Sequence, residues 1–358
     1  TDAVSLDDIK RWYAEDNGGK RFPVPAVKGG KRNNIIVQPT PAQEAILEDV
    51  VREFNGLREI KDPRERNKAR LRLMDRARKV SLDARAVDPR IPTTEPGGKL
   101  EKVADEVARI YKEWDSDKGT QLVFLDRSVP KSKGDDKFLK MYDALVARKE
   151  EALRAGDEDL YDSVQEELDK FNQAEVQAVR EAQSGGWNAY EQIKRNLMAR
   201  GLPENEIRFI QEANTDDQKQ QLFDAVKAGE VRVLLGSTER MGAGTNVQDR
   251  LVALHHVDVN WKPSDIEQRE GRIVRQGNLL LEKYGEEFEV ELNAYATERT
   301  YDAKMWSLNE AKGRFINGLR SYNGEREVEI DDSESENMAE MAAMASGDPR
   351  MLERVQLD

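Results

Sequence analysis

From residue 99 onward the apolar positions switch repeatedly between two periods. Val103, Val107, Ile110 and Trp114 recur at helical spacing, and Gln121-Leu122-Val123-Phe124-Leu125 follows as a short run with the look of a buried strand. Trp187, Tyr190, Ile193 and Leu197 predict another helix, and Ile207-Arg208-Phe209-Ile210 a short strand. A helix over 217–228 leads into the strand Val231–Leu235 and then Leu251–Leu254. A helix from Pro263 to Arg275 and a strand over 288–296 complete the series. Strands spaced by helices predict an α/β fold, a parallel sheet with helices on both faces.

The first 98 residues read differently. Gly18-Gly19, Pro23, Pro25, Gly29-Gly30 and Pro39 mark turns around one strand-like run, Ile35-Ile36-Val37. Thr40 or Pro41 opens a helix with Ile46, Val50, Phe54 and Leu57 on one side, and a second helix covers about Arg64 to Leu82. Pro89, Pro92, Pro96 and Gly97-Gly98 then break the chain. Residues 138–183 interrupt the α/β rhythm with helix-forming sequence, broken at Gly156 and striped by Leu160, Val164, Leu168 and Phe171. An inserted helical hairpin is expected, with a docking arm for a protein partner as the other reading. The expected organisation is a partly helical bridge over 1–98 that includes a basic helix, an α/β domain over 99–320 interrupted at 138–183, and an acidic, flexible tail over 321–358.

Composition narrows the chemistry. The 358 residues include no cysteine, which excludes disulfides, thiolate nucleophiles and cysteine-ligated zinc. The two histidines are neighbours, His255-His256, a poor basis for a metal site or a Ser-His-Asp triad. No run nears the ~18 apolar residues of a membrane span, and no signal-peptide pattern opens the chain, so no membrane partner is expected and the cytoplasm is the expected compartment. Net charge is −13, yet it is uneven: residues 58–90 hold 12 bases and 6 acids, and 325–358 hold 11 acids and 3 bases. The total argues against nonspecific coating of nucleic acid but leaves room for a local basic track.

Two segments carry candidate chemistry. In Gln268-Arg269-Glu270-Gly271-Arg272-Ile273-Val274-Arg275, the arginines at 269, 272 and 275 sit three apart, a slowly turning row on a helix. Two guanidiniums one turn apart can chelate a phosphate chain, and Gly271 permits close approach of a backbone or ligand. A solvated basic face is the competing reading, although a helical glycine costs ~1 kcal/mol against alanine. The second segment is the polar glycine loop from Gly236 to Asn246, directly after a predicted strand, where parallel sheets bind ligands. Its amides and the Ser237, Thr238 and Thr245 hydroxyls suit phosphate oxygens, and tight turns account for the glycines equally well. Pro263 fits the first turn of the arginine helix, Trp261 reads as a packing anchor, and at least one histidine reads as core.

Taken together, residues 120–128, the loop 234–246 and the helix 263–277 resemble motifs IV, V and VI of superfamily 2 helicases. The run VLLGSTERMGAGTNVQ with HHVDVNWKPSDIEQREGRIVRQGN is most similar to Swi/Snf-type translocases, and more narrowly to the large helicase–methyltransferase proteins of phages and mobile elements. The resemblance implies the C-terminal one of two RecA-like lobes, with ATP and double-stranded DNA bound across the cleft between them. Gln268, Gly271, Arg272 and Arg275 match the Gln-x-x-Gly-Arg-x-x-Arg pattern of motif VI. Arg272 and Arg275 are thereby implied as fingers on the γ-phosphate of ATP, whose Mg2+ the other lobe would hold. Motif V maps onto Gly242, Gly244, Thr245 and Asn246, coupling nucleotide to DNA, while Arg127, Ser128, Ser237 and Thr238 are implied contacts to the DNA backbone.

One departure from the family matters. No Gly-x-x-x-x-Gly-Lys-[Ser/Thr] occurs, since Gly30-Lys31-Arg32 and Gly98-Lys99-Leu100 both fail it, and no Asp-Glu pair precedes the motifs in family order. The expectation is therefore a C-terminal part of a longer DNA-dependent ATPase, inactive alone, in a bacterial host cell. The alternative is a non-hydrolytic DNA-binding or scaffold module of a larger assembly, such as a phage particle. Translocation and strand separation are both left open.

Overall fold

In the computed structural model, seven strands among the described residues form one parallel sheet. The structure describes residues 6–16, 18–19, 22–92, 97–128, 135–171, 176, 187–242, 246–259 and 262–321. The strands are β1 (Ala26–Val27), β2 (Asn33–Val37), β3 (Thr120–Phe124), β4 (Ile207–Phe209), β5 (Val233–Gly236), β6 (Leu251–His256) and β7 (Glu289–Thr297). Their order is β1-β7-β6-β3-β5-β4, with β2 also paired to β7. The α/β class expected from the sequence, a parallel sheet with helices on both faces, is the class observed.

The central strands are apolar throughout because helices cover both of their faces. Val123 and Leu125 pack with Val233 and Leu235 against α4 (Lys99–Glu113) and α7 (Ala189–Ala199). Leu122, Phe124 and Leu234 point the other way, onto α8 (Asp216–Ala228), α9 (Thr238–Gly242) and α11 (Leu279–Tyr284). Between α9 and α11 comes α10 (Pro263–Glu270).

The N-terminal segment differs from the expectation. It carries a helix, α1 (Leu6–Asp16), and two strands rather than one, β1 and β2, which pair in succession with β7. α2 (Pro41–Gly56) begins at a capping box in which Thr40 accepts from the Gln43 amide and Gln43 accepts from the Thr40 amide. The same Gln43 side chain donates to the carbonyl of Val80 at 2.6 Å, joining α2 to the end of α3 (Pro63–Leu82). Leu73, Met74 and Ala77 of α3 meet Val50 and Leu57, and the cluster is closed by Tyr301, Met305 and Leu308 of α12 (Tyr301–Ser321). Lys99, fully buried at the start of α4, is ion-paired with Asp302 of α12.

α5 (Asp135–Ala155) and α6 (Glu158–Leu168) form the expected helical hairpin, turning at Gly156, whose φ of +71° suits glycine. Residues expected to continue it beyond 171, apart from 176, lie outside the described residues, as does the acidic segment after 321. Among the described residues, no helix is long and apolar enough to cross a membrane, and no three His, Asp or Glu side chains are grouped to hold a metal ion.

Candidate functional site

The chain order places β4 and β5 on one side of β3 and β6 and β7 on the other. Ligands of open parallel sheets bind beyond the strand C-termini near such a reversal. Three short segments meet there: Asp126-Arg127-Ser128 after β3, Ser237-Thr238 after β5, and Val257-Asp258 after β6.

Arg269 of α10 ties them together. Its residue exposure is 1%, so each of its donors needs a partner inside the protein. Nε donates to Thr238 Oγ1 at 2.7 Å, and one terminal nitrogen to the Asp258 carbonyl at 2.9 Å and His256 Nδ1 at 3.4 Å. The other donates to Asp126 at 2.7 Å and the Asp258 carboxylate at 3.4 Å, while the guanidinium lies 5.2 Å from the centre of the Phe124 ring. Asp126 also accepts from the Thr238 amide and hydroxyl at 2.5 and 2.8 Å. Asp258 accepts from the Asp126 and Arg127 amides at 2.8 and 3.0 Å.

Two buried carboxylates thus face one guanidinium, and their proton affinities separate. Burial pushes Asp126 upward, but the charge of Arg269 and the donors of Thr238 outweigh it and hold the carboxyl below its usual range. Burial, followed by the charge of Asp126, pushes Asp258 up to about 6. Beyond them, His256 Nε2 faces Glu270 at 3.2 Å, and Glu270 accepts from Arg32 Nε at 2.7 Å. These partners fit the tautomer in which His256 donates to Glu270 and accepts from Arg269. His255 bridges Tyr295 at 2.8 Å and Gln121 at 3.0 Å. Both histidines are therefore satisfied core residues.

Burial lowers the pKa of His255 to about 3 and that of His256 to about 4. The unfolded chain protonates both near 6.5 while the folded chain keeps them neutral, so their contribution is present above pH 6.5 and lost as pH falls toward 4. Asp258 works against this, because its raised pKa favours the folded state below about 6. Near pH 5 the unfolded state holds two histidine protons against one on folded Asp258. Stability is therefore expected to fall as pH drops through that range. Urea midpoints at pH 6.0, 5.5 and 5.0 check this, and a flat profile would remove the neutral histidines from the account.

The arginine row divides where α10 ends. The helix stops at Glu270 rather than running to Arg275, and Gly271 is its C-cap in right-handed backbone. A Cβ on Gly271 would sit 3.2 Å from the Glu267 carbonyl, so the close approach there is by its own helix. Residues 271–273 turn, and buried Ile273 anchors the turn. Arg272 is left half-buried and Arg275 exposed. Burial first, and then the like charge of Arg275, lowers the affinity of Arg272 for its proton. The Arg275 amide donates to the Ile273 carbonyl at 2.9 Å, and its side chain makes no ion pair or hydrogen bond with a described residue. Gln268 is exposed on α10.

The other expected site residues fall in three groups. Thr238 is buried and its hydroxyl both accepts from Arg269 and donates to Asp126, so it has no hydrogen left for a phosphate. The hydroxyl expected to contact the DNA backbone is thus engaged within the protein in this structure. Ser128, at φ +57°, accepts the Ala189 amide on Oγ and Asn188 Nδ2 on its carbonyl, capping α7. Arg127 reaches Asp75 of α3 at 3.2 Å, and the Ser237 hydroxyl accepts from the Arg240 amide at 3.4 Å. Gly242 closes α9 and Asn246 is exposed, whereas Gly244, Thr245 and Trp261 lie outside the described residues. Gly236 is required by packing, since a Cβ there would stand 2.7 Å from Ile210 and Met241.

Sequence reasoning missed Asp126 and Asp258. Each directly follows the apolar run of a buried strand, Leu125-Asp126 and Val257-Asp258. An acid at such a buried end requires a cation, and that was the available signal.

Residues 187–277 match the family described as the helicase conserved C-terminal domain. No curated protein matches the chain in sequence. Among solved structures, the C-terminal part of the Fun30 ATPase domain aligns over 93% of this chain and 99% of its own, with 13% identity and a TM-score of 0.43. The Sulfolobus solfataricus SWI2/SNF2 ATPase core, solved in complex with dsDNA, aligns over 90% of this chain and 49% of its own, with 13% identity and a TM-score of 0.46. The chain thus spans about half the length of that core.

Proposed function

We propose that this chain is the second lobe of an ATP-dependent DNA helicase or translocase of the Swi/Snf type. Arg272 and Arg275 stabilise the charge that develops on the γ-phosphate of ATP, with the nucleotide and Mg2+ held by a partner lobe that carries the phosphate loop. Gln268 lies exposed on α10, ahead of the turn that follows the helix. The observation that carries the reading is the division of the arginine row: Arg269 is spent inside the lobe, while Arg272, half-buried, and Arg275, exposed, follow beyond the end of α10. Two like charges held together destabilise the free lobe and gain most from an anion. The match of residues 187–277 to the helicase C-terminal domain supports the same reading.

Placing the arginines on one lobe and ATP on the other would link hydrolysis to lobe closure. Duplex DNA is the proposed track, lying along the strand C-termini, and the hairpin α5–α6 is a proposed docking arm for a protein partner. The test is ATP turnover, with and without duplex DNA, by a protein containing this chain and its nucleotide-binding lobe. Turnover stimulated by DNA is expected there and none from residues 1–358 alone. Absence of turnover despite an intact phosphate loop would turn the assignment toward a non-hydrolytic binding module.

A further inference from the structure

We infer that the N-terminal half of α3 is a binding face for a nucleic-acid phosphate backbone, continuous with the loop after β3. The inference rests on the nucleic-acid part of the proposed function and adds where on the lobe that backbone runs.

The charge of α3 divides into two halves with different fates. In the C-terminal half, Arg76 is paired with Glu53 at 2.6 Å and Asp49 at 3.8 Å, and Lys79 with Asp75 at 2.8 Å. Arg78 donates to the Tyr301 hydroxyl at 2.7 Å and lies over its ring at 4.8 Å. These cations brace α3 against its neighbours. The N-terminal half holds Arg64, Arg66, Lys68, Arg70 and Arg72 around a single acid, Glu65. None of those five side chains makes an ion pair with a described residue. The Nε of Arg70 is buried without a hydrogen-bond partner.

Three of the five are aligned. Arg64, Lys68 and Arg72 are exposed and four residues apart, which on a helix makes one strip with about 6 Å of rise between neighbours. Like charges at that spacing repel, and nothing in the described fold offsets the repulsion. On a chain whose net charge is −13, such a strip is not the overflow of a generally basic surface. Its continuation is what assigns a ligand. One turn beyond Arg72 lies Asp75, whose carboxylate holds Arg127 of the loop after β3 at 3.2 Å. The strip therefore runs onto the end of the sheet where the candidate site lies. A row of cations leading to that edge suits the repeating phosphates of a duplex, which release counterions when they are neutralised.

The test is the salt dependence of binding to a 20-base-pair duplex by the 358-residue chain, followed by fluorescence anisotropy. The variant R64Q/K68Q/R72Q alters only exposed positions. It is expected to bind at least about tenfold more weakly at low salt, with a log–log salt slope shallower by about 2.7, or about 0.9 for each phosphate that the variant no longer neutralises. K68Q alone is expected to flatten the slope by about 0.9, and R76Q, whose cation is already paired within the protein, should leave the slope unchanged. Wild-type slopes in the triple variant would overturn the α3 assignment and leave the DNA reading standing. A wild-type chain that binds no duplex would overturn both.

Discussion

Arg269→Ala is expected to lower the unfolding free energy by about 3–5 kcal/mol at pH 7.5, the cost of leaving buried charge without its partner. The substitution strips Asp126 of the cation that keeps it ionised and removes the donors received by Thr238, His256 and the Asp258 carbonyl. Arg269→Lys should recover only part of the loss, because one ammonium has three donors and no planar fork with which to reach the ends of β3, β5 and β6 together. The cost is also expected to depend on pH. Without Arg269, both carboxyls gain protons more readily, so the difference from wild type should be smaller at pH 5.0 than at pH 7.5. Asp258→Asn keeps an acceptor for the Asp126 and Arg127 amides while removing the like charge beside Asp126, and its cost should be much the smaller. Denaturant titrations of the three variants at the two pH values measure all of this. A loss below about 1 kcal/mol for Arg269→Ala would mean that the network around it is bystander polarity.

The central sheet was legible because its strands are buried on both faces, which leaves short continuous apolar runs such as Leu122–Leu125 and Val233–Leu235. The start of α2 was legible for a local reason, the Thr40 cap followed by Pro41 and Gln43. β1 and the start of β2 were not. Ala26-Val27 is too short for any period to show, and Asn33-Asn34 are exposed on an edge pairing that gives them no apolar signature. In the site, the spacing of 269, 272 and 275 places three arginines in one row and does not tell them apart. Their roles differ because α10 stops at Glu270 and because Arg269 is claimed by acids 143 and 11 residues away. Spacing along one helix reports which residues share a face; it carries no information on which of them a distant loop will neutralise.

Arg272→Ala, in a protein that carries both lobes, is expected to lower DNA-stimulated kcat for ATP by about a thousandfold or more, the range for loss of an arginine finger. Affinity for duplex DNA should change by less than about threefold, since the proposed phosphate-binding strip runs along α3 and the loop after β3 rather than over the turn at 271–275. Arg272→Lys should restore little, because a point charge does not reproduce the fork that spans two phosphoryl oxygens. Arg275→Ala separates charge from geometry. It removes the like charge that depresses Arg272, so the free lobe should become slightly more stable while turnover falls. A gain in stability paired with a loss of activity is what a preorganised site gives, where strain in the empty state is relieved by the transition state. A merely solvated basic face predicts neither, and near wild-type turnover in Arg272→Ala would return the two arginines to that role. Arg269 supplies the contrast: its replacement should cost fold and turnover together, whereas replacing Arg272 should cost turnover far out of proportion to any loss of stability.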